Sequence, residues 1–452
     1  MSPRRLLGVR LNKPVSVIQF IEQRVPEPLT FALYLTVIMA GLTLLFTPIA
    51  PPSLLLQWGN SLSALLAFTM QMALIITVAY VLAHTGPMQK ALLRLSLLAR
   101  TPAQAYLMVI LSSAAFSLLS WPLGPIVAGL LSREISKRAQ HTGMNINYPL
   151  LAAGGFGGFV VWEMGYSSSI ALAVATEGNP TYEVIGRLIP VQETLLTWWN
   201  LLSVATTLSV VIGTVLLLHR RTASTHAYIP DDLHTPLAVN NHSDTASPKA
   251  DGRRLLSVFA GCLVLLYVIT WFSSNGVSLN LNVVNWTFLG IGLLLARSLP
   301  HYSQLFSDGA RVAAPTLLQY PLYAGIMGMA IKSGLAEQFT QFLTQISSQA
   351  MLPVIGFFSA GAINVFIPSG GAQWALQGPS FIAAAKTLNV DLGLTTMAIA
   401  YGDQWTNLIQ PFTAIPILAL TGLRLRHIYG YAFILCAATS LPLVAGLMFA
   451  NL

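Results

Sequence analysis

Charged side chains are scarce in this sequence. Only 8% of its 452 residues are Asp, Glu, Lys or Arg, while 54% are hydrophobic and the mean hydropathy is +0.67. A soluble protein carries about 25% charged residues, because its surface must interact with water. The shortage excludes an ordinary soluble chain and indicates that a lipid bilayer is the main solvent.

Cysteine and the common catalytic motifs are missing as well. The two cysteines, Cys262 and Cys436, lie in separate apolar runs, so we expect neither a disulfide framework nor a cysteine metal site. No Walker A motif is present, which excludes ATP as the energy source, and there is no H-E-x-x-H, G-x-S-x-G or C-x-x-C pattern. We predict a protein that is not an enzyme and needs no cofactor. The first apolar run begins near Leu29 behind a basic segment and has no small-residue cleavage site, so we expect insertion into the membrane and not export.

The net charge of +8 does not indicate a nucleic-acid partner. Of the 23 Lys and Arg residues, 20 fall in six stretches. These are residues 1–28, 84–102, 133–147, 219–254, 297–311 and 424–427. If all six are cytoplasmic, the positive-inside rule explains the excess. We therefore expect a multi-pass protein of a bacterial inner membrane, with a cytoplasmic N-terminus.

The apolar runs predict an all-α polytopic fold. Seven runs can span a bilayer, and two more are interrupted by Gly, Pro and polar residues. The seven are 29–47, 62–83, 188–218, 255–273, 281–297, 313–331 and 428–449, and the interrupted two are 148–174 and 393–422. Segments 103–135 and 352–386 break at 120–125 and 368–372, and each arm of about 15 residues is shorter than the roughly 20 that a span needs. We predict nine spanning helices and two re-entrant hairpins, which leaves the C-terminus in the periplasm.

Several chain breaks and glycines in the second half of the sequence lie 248 residues after matching features of the first half. The break at 120–124 aligns with that at 368–372, and Gly154 aligns with Gly402. The distribution of Lys and Arg predicts that the two halves cross the membrane in opposite directions. This is the inverted-repeat arrangement of secondary transporters. The predicted divisions are an N-terminal cytoplasmic segment (1–28), a first repeat (29–218) with hairpin 103–135, a cytoplasmic linker (219–254), a connecting helix (255–276) and a second repeat (277–452) with hairpin 352–386. We expect the linker to be a plain connector, and a regulatory role is the alternative.

Backbone that leaves helical geometry within the membrane must be shielded from lipid. Each unpaired N–H or C=O costs several kcal/mol in lipid, so the four breaks must be buried in protein or line a wet cavity. Breaks related by symmetry favour a substrate and ion site near the midplane, formed by helix ends. The alternative is that Gly and Pro only kink helices for packing.

The second hairpin break carries candidate anion-binding groups. In PSGGAQWALQGP (368–379), a Ser-Gly-Gly tip exposes backbone N–H groups just before a helix, which suits a carboxylate. Gln373 and Gln377 are four residues apart, so both can face one cavity. The full set that we predict to bind substrate is Ser120, Trp121, Gly124, Ser369, Gly370, Gly371, Gln373, Trp374, Gln377, Trp405, Asn407 and Gln410.

Carboxylates inside apolar runs are candidate ion-coupling groups, because an intramembrane charge is costly. Asp403 lies in AYGDQWTNLIQPF (400–412) near several amide side chains, where it can hold Na⁺ or carry a proton. An interfacial position near the external mouth is the alternative. Glu163, in WEMGYSSS (162–169), is either a coupling group or a structural hydrogen-bond partner. The predicted ion-coupling set is Asp403, Glu163, Asn364 and Ser168.

With these residues in view, the chain resembles the short-chain fatty acid transporter family of the wider ion transporter superfamily. The segments that carry the resemblance are PSGGAQWALQGP, AYGDQWTNLIQPF, LLAFTMQMALII (65–76) and the GNP at 178–180. The resemblance implies uptake of a small organic anion such as butyrate or acetoacetate, by symport with Na⁺ or H⁺. It also implies a scaffold domain, a transport domain that moves as an elevator, and a homodimer in the lipid bilayer.

Two positions depart from the family pattern. Where similar proteins have Asn-Trp-Gly-Phe-Gly, this chain has Ser-Trp-Pro-Leu-Gly at 120–124, and where they are glycine-rich it has Glu163 and Met164. Both departures lie where a first ion site is expected. The alternatives are a transporter of another organic anion, either a dicarboxylate or an aromatic acid conjugate, and a membrane sensor that binds carboxylates without moving them. Few positive charges face the predicted cavity, which favours a singly charged anion.

Overall fold

Every regular element in the described residues is helical. The computed structural model describes residues 28–175, 181–222, 250–276, 281–368 and 370–451. Helices α1 to α19, in chain order, are Pro28–Phe46, Pro51–Ser61, Leu66–Ala83, Gly86–Ser96, Pro102–Leu119, Leu123–Thr142, Tyr148–Gly158, Ser169–Val174, Tyr182–Ile185, Trp198–Thr222, Ala250–Asn275, Leu281–Leu295, Leu299–Lys332, Leu335–Gln345, Leu352–Asn364, Gly370–Leu388, Leu392–Thr406, Pro411–Thr421 and Leu425–Ala450. Three 3₁₀ segments are Phe159–Met164, Val191–Glu193 and Asn407–Ile409. The prediction of an all-α protein is confirmed over these ranges.

Several helices have the length and composition of membrane spans. Within the described residues, five qualify alone, and α3 with α4 forms a sixth candidate that bends by 79°. The five are Leu29–Phe46, Pro102–Leu119, Trp198–Thr222, Arg254–Asn275 and Leu425–Ala450. This is fewer than the nine predicted spans, because some apolar runs are divided between shorter helices. The run 393–422, for example, contains α17, a 3₁₀ turn and α18.

Each predicted hairpin is a pair of helices separated by a short break. Helices α5 and α6 meet at 120–122, and α15 and α16 meet at 365–369. The arms of the first pair are longer than predicted, with 18 and 20 residues. Thr101 and Gln104 form a capping box at the start of α5, and left-handed Gly143 ends α6, so the helical arms extend beyond the apolar run. The argument that both arms are too short to span is therefore wrong for this hairpin.

The region before and after α10 also differs from the prediction. The run 188–218 does not begin as a helix, because Pro190 is extended and α10 starts after it. The predicted linker 219–254 is helical at both ends, where α10 finishes and α11 begins. Its central part, 223–249, lies outside the described residues, as do residues 1–27 of the N-terminal segment.

Helix α13 contains the run predicted as a span at 313–331. It begins earlier, at Leu299 behind the N-cap Ser298, and continues for 34 residues through Pro315 and Pro321. Prolines are tolerated inside such helices where neighbouring helices re-satisfy the freed backbone groups. The apolar run therefore shows where the helix becomes apolar and not where it begins.

Two large apolar clusters form most of the interior. One joins α5 to α8 with α10, α15 to α17 and α19, and the other joins α1 to α3 with α13 and part of α18. Trp121, at the first hairpin break, packs against both clusters. The break therefore lies at the boundary between the two apolar bodies, where a cavity can form without exposing either core.

Gly155 allows α7 to pack closely on the first hairpin. A Cβ at this position would lie 2.6 Å from Val109 Cγ1 on α5 and 2.7 Å from Ala128 Cβ on α6. We expect Gly155→Ala to lower the stability by about 1–3 kcal/mol, because three helices would have to separate. Thermal unfolding in detergent measures this effect. Gly213→Ala, where nothing lies within 4 Å of the added Cβ, is the matched control. Equal melting temperatures for the two variants would contradict the packing role.

Candidate functional site

A cavity of about 330 Å³ lies where the hairpin breaks and the interrupted helices meet. Its lining residues are Leu65, Trp121, Phe159, Trp162, Ser169, Pro368, Gly370, Gly371, Asp403, Asn407, Phe412 and Thr413. Trp121 belongs to the first break, while Pro368 and Gly370 flank the second. The two breaks therefore reach one cavity from distant parts of the sequence.

Aromatic rings form one wall of the cavity. The ring centroid of Trp121 lies 6.3 Å from that of Phe159 and 6.0 Å from that of Trp162. Phe159 and Trp162 stack nearly parallel, with centroids 6.1 Å apart. Phe412 stacks on Tyr320 at 4.0 Å and is thereby fixed in place. This wall can hold a small hydrocarbon group.

The opposite side is polar and is organised around Gly370, the first residue of α16. A Cβ on Gly370 would lie 2.2 Å from Ser169 Oγ, 2.7 Å from Glu163 Oε1 and 3.5 Å from Asp403 Oδ2. The start of this helix, whose first N–H groups have no partner within the helix and whose dipole end is positive, therefore adjoins two carboxyl groups. Only glycine leaves room for this arrangement.

Glu163 is surrounded by hydrogen-bond donors. Its carboxylate accepts bonds from the hydroxyls of Ser168 and Ser169, from the N–H of Ser169 at 3.2 Å and from the N–H of Ile170 at 3.4 Å. Ser168 is also the N-cap of α8, where its Oγ accepts from the N–H of Ala171 at 3.0 Å. These contacts hold the carboxylate in a fixed position, which is the arrangement expected of a structural hydrogen-bond partner.

Asp403 has the opposite environment. Its side chain lines the cavity and is 1% exposed, and neither carboxyl oxygen makes a hydrogen bond of normal geometry among the described residues, where the amide of Asn407 is the side-chain donor that lies near it. The Asp403 side chain is therefore buried inside the protein and does not lie on its surface. Asp403 lies within electrostatic reach of Glu163. An unpaired carboxyl group at such depth is costly unless a proton or another cation neutralises it.

Amide side chains tie the broken helix ends together. Asn364 Nδ2 donates to the backbone oxygen of Asp403 at 2.8 Å, to Thr406 Oγ1 at 2.9 Å and to Asn407 Oδ1 at 2.7 Å. Gln410 Nε2 donates to the backbone oxygens of Asn364 at 2.7 Å and of residue 365 at 2.8 Å. Asn407 lines the cavity, whereas Asn364 and Gln410 brace the ends of α15 and α17 behind it.

The predicted substrate residues on α16 after the glycines face away from the cavity. Gln373 Nε2 donates to the backbone oxygen of Ala360 at 2.9 Å and to Gln377 Oε1 at 3.1 Å. Gln377 in turn donates to Ser359 Oγ at 2.7 Å. Both amides therefore join the arms of the second hairpin, and a direct role in substrate binding does not fit their positions.

Three other predicted positions are also structural in this arrangement. Trp374 donates to Thr181 Oγ1 at 3.2 Å, and Trp405 donates to the backbone oxygen of Cys436 at 2.7 Å. A Cβ on Gly124 would lie 1.7 Å from Ser117 Oγ, so that glycine serves the close contact between α5 and α6.

Ser120 and Ser369 complete the predicted set. Ser120 ends α5, where its N–H donates to the backbone oxygen of Phe116 at 2.9 Å, and it is not among the lining residues. Ser369 lies outside the described residues.

Seven lining residues were not in the predicted sets. These are Leu65, Phe159, Trp162, Ser169, Pro368, Phe412 and Thr413. Ser169 belongs to the hydroxyl cluster that follows Glu163, and Phe412 directly follows the helix-breaking Pro411, so local signals exist for both. Phe159 is one apolar residue within a long apolar run, and nothing in the sequence distinguishes it from its neighbours.

Comparison with known proteins identifies the family. A family model described as "Short chain fatty acid transporter" matches residues 10–450. Relatives from Escherichia coli K12 and Haemophilus influenzae Rd are 35% and 33% identical over 432 and 442 residues, covering 95% of this chain and 97% of each relative. Both carry the name "Putative short-chain fatty acid transporter".

Two solved transporter structures are distantly similar. The Alcanivorax borkumensis YdaH transporter matches with a TM-score of 0.39 and 13% identity, covering 94% of this chain and 98% of its own. Neisseria gonorrhoeae MtrF, described among a class of antimetabolite efflux pumps, matches with a TM-score of 0.44 and 14% identity, covering 97% of both chains. At these scores neither contributes to the assignment. The family match and the two relatives place this membrane protein in the short-chain fatty acid transporter family.

Proposed function

We propose that this protein is a secondary active transporter that takes up short-chain monocarboxylates, such as butyrate or acetoacetate, by cation symport. One observation supports this most directly: a helix N-terminus at the cavity adjoins two buried carboxyl groups, and the lining in the described residues includes no Lys, Arg or His. An anion that enters this space is repelled by any uncompensated carboxylate. Binding of a cation therefore increases the affinity for the anion, and this linkage is the thermodynamic basis of symport.

The substrate carboxylate would bind at the start of α16. Gly370 and Gly371 line the cavity there, and the first N–H groups of a helix bind anions without a basic side chain. Asn407 and Thr413 lie in the same lining and can complete the polar contacts. A second carboxylate on the ligand would face the aromatic wall, so a singly charged anion fits better than a dicarboxylate.

The hydrocarbon part of the substrate would pack against Trp121, Phe159 and Trp162. The cavity volume of about 330 Å³ is at the small end of ligand pockets, which supports a short acid. The ring faces make this wall largely apolar, so recognition there depends mainly on size and shape.

The larger architecture is proposed on sequence grounds. The two halves would be inverted repeats, 29–218 and 277–452, which bring the hairpin breaks to one cavity. Movement of the hairpin-bearing domain against a fixed scaffold, in a homodimer of the inner membrane, is the mode that the family resemblance implies. The N-terminus would be cytoplasmic and the C-terminus periplasmic.

Uptake of radiolabelled butyrate into proteoliposomes tests the function. We expect accumulation above protein-free liposomes when an inward Na⁺ or H⁺ gradient is imposed, and competition by acetoacetate but not by succinate. Competition by succinate or by an aromatic acid conjugate alone would instead support transport of another organic anion. Saturable binding without accumulation under either gradient would support a sensor.

Asp403→Asn tests the coupling role of the unpaired carboxyl group. The substitution keeps the size and burial of the side chain but removes its ability to hold a proton or cation. We expect gradient-driven uptake to fall to the level of protein-free liposomes, with expression and melting temperature close to those of the wild type. Full uptake by this variant would remove Asp403 from the mechanism.

A matched pair of glycine variants tests the anion site. Gly370→Ala places a methyl group against Ser169 and Glu163, whereas nothing lies within 4 Å of the Cβ added by Gly371→Ala. We expect the first change to weaken butyrate binding about tenfold or more, since misfit of this kind costs about 1–3 kcal/mol. The second should weaken binding less. The reverse order, measured by substrate-dependent protection against thermal unfolding, would contradict this placement of the site.

Trp121→Ala tests the aromatic wall. Removal of the indole enlarges the cavity beside Phe159 and Trp162, so the preferred chain length should move from butyrate towards hexanoate or octanoate. Competition of a series of unlabelled acids against labelled butyrate measures this preference. An unchanged order of inhibition would show that the hydrocarbon chain does not contact this wall.

A further inference from the structure

We propose that the coupling cation is a proton carried by Asp403, and that Glu163 stays ionised beside it as a fixed negative charge. This inference rests on the proposed symport function and names its coupling ion. It assigns different roles to two carboxyl groups that adjoin the same glycine, Gly370.

The hydrogen bonds of Glu163 favour the ionised form. Two hydroxyl groups and two backbone N–H groups donate to its two oxygens. A backbone N–H can only donate, so a proton on this carboxyl would displace at least part of the arrangement. Donors directed at a carboxylate stabilise its charge even where water is excluded.

Asp403 has much less compensation. The amide of Asn407 is the side-chain donor near it, but neither of its oxygens makes a hydrogen bond of normal geometry among the described residues, and the side chain is 1% exposed. An ionised Asp403 would add a second negative charge next to Glu163. When two buried carboxyl groups lie close together, one of them holds a proton. The donors around Glu163 determine that this one is Asp403.

No nearby cation offsets the two acids in the described residues. Helices α8 and α15, which pack against α17, carry no titratable side chain. Lys386 on α16 lies in the last turn and donates to the backbone oxygen of residue 184. The titratable side chains on α19 are Arg426, His427, Tyr429, Tyr431 and Cys436, and Tyr401 on α17 donates to Asn200. Glu163 is the charged residue whose field acts on Asp403.

The proposal predicts the net charge that crosses the membrane in each transport cycle. A proton from the outer solution would neutralise Asp403, a monocarboxylate anion would bind at the start of α16, and both would be released on the inner side. One proton and one singly charged anion carry no net charge. Uptake should therefore respond to a pH gradient but not to Na⁺ or to membrane potential.

The first experiment measures transport by the full-length protein. In proteoliposomes without Na⁺, we expect butyrate uptake driven by an inward proton gradient, after subtraction of the diffusion of neutral acid into protein-free liposomes. A potential set with K⁺ and valinomycin should leave the initial rate unchanged. A requirement for Na⁺, or a clear response to the potential, would overturn the proposal while leaving symport intact. Absence of specific uptake under every gradient would instead reject the proposed function.

The second experiment follows butyrate binding across pH in detergent, using fluorescence of the tryptophans that line the cavity. In the wild type, binding should weaken as the pH rises and Asp403 loses its proton. Glu163→Gln removes the neighbouring negative charge, which makes loss of that proton easier, so the midpoint should move to lower pH by about one unit or more. Glu134→Gln, at a surface ion pair with Lys137, is the control and should leave the midpoint unchanged. An unchanged midpoint in Glu163→Gln would overturn the proposal.

If Glu163→Gln does not fold, two conservative substitutions of Asp403 test the proposal instead. Asp403→Asn should bind butyrate with an affinity that no longer depends on pH, and Asp403→Glu should restore the dependence. A merely structural role would change affinity or stability without removing the pH profile. Persistence of the wild-type profile in Asp403→Asn would exclude Asp403 as the proton carrier.

Discussion

The structure depends on supplying hydrogen-bond partners to the backbone groups that are left unpaired where helices break inside an apolar protein. Each helix that stops within the interior leaves carbonyl and amide groups without partners, and lipid cannot supply them. Here amide side chains provide many of the replacements: Gln410 donates to two carbonyls at the end of α15, and Asn364 donates to a carbonyl near the end of α17. Because these residues also hold the breaks together, the same contacts that stabilise the fold create the cavity.

The two buried carboxyl groups differ because their neighbours differ. The carboxylate of Glu163 lies at the start of α8 with two serine hydroxyls, whereas Asp403 lies on α17 and faces the cavity with only the Asn407 amide nearby as a side-chain donor. A low dielectric strengthens both the interactions of the first and the penalty for the second. Glu163 can therefore have a structural role, while Asp403 remains free to bind and release a proton.

The sequence predicted the positions of the breaks and the special status of Asp403, because costly features in an apolar run have few explanations. It could not predict which neighbour each polar side chain meets. Gln373 and Gln377 do share a helix face, as their spacing indicates, but that face meets α15 and not the cavity. Phe159 shows the converse, since its role depends on contact with Trp121 from a distant segment.

The two departures from the family pattern are neighbours in space. Trp121, within 120–124, contacts Trp162. Glu163 follows Trp162 in the chain, and its Oε1 lies beside Gly370. A carboxylate at 163 leaves no room for a side chain at 370, so glycine there is required by Glu163 as well as by the helix start.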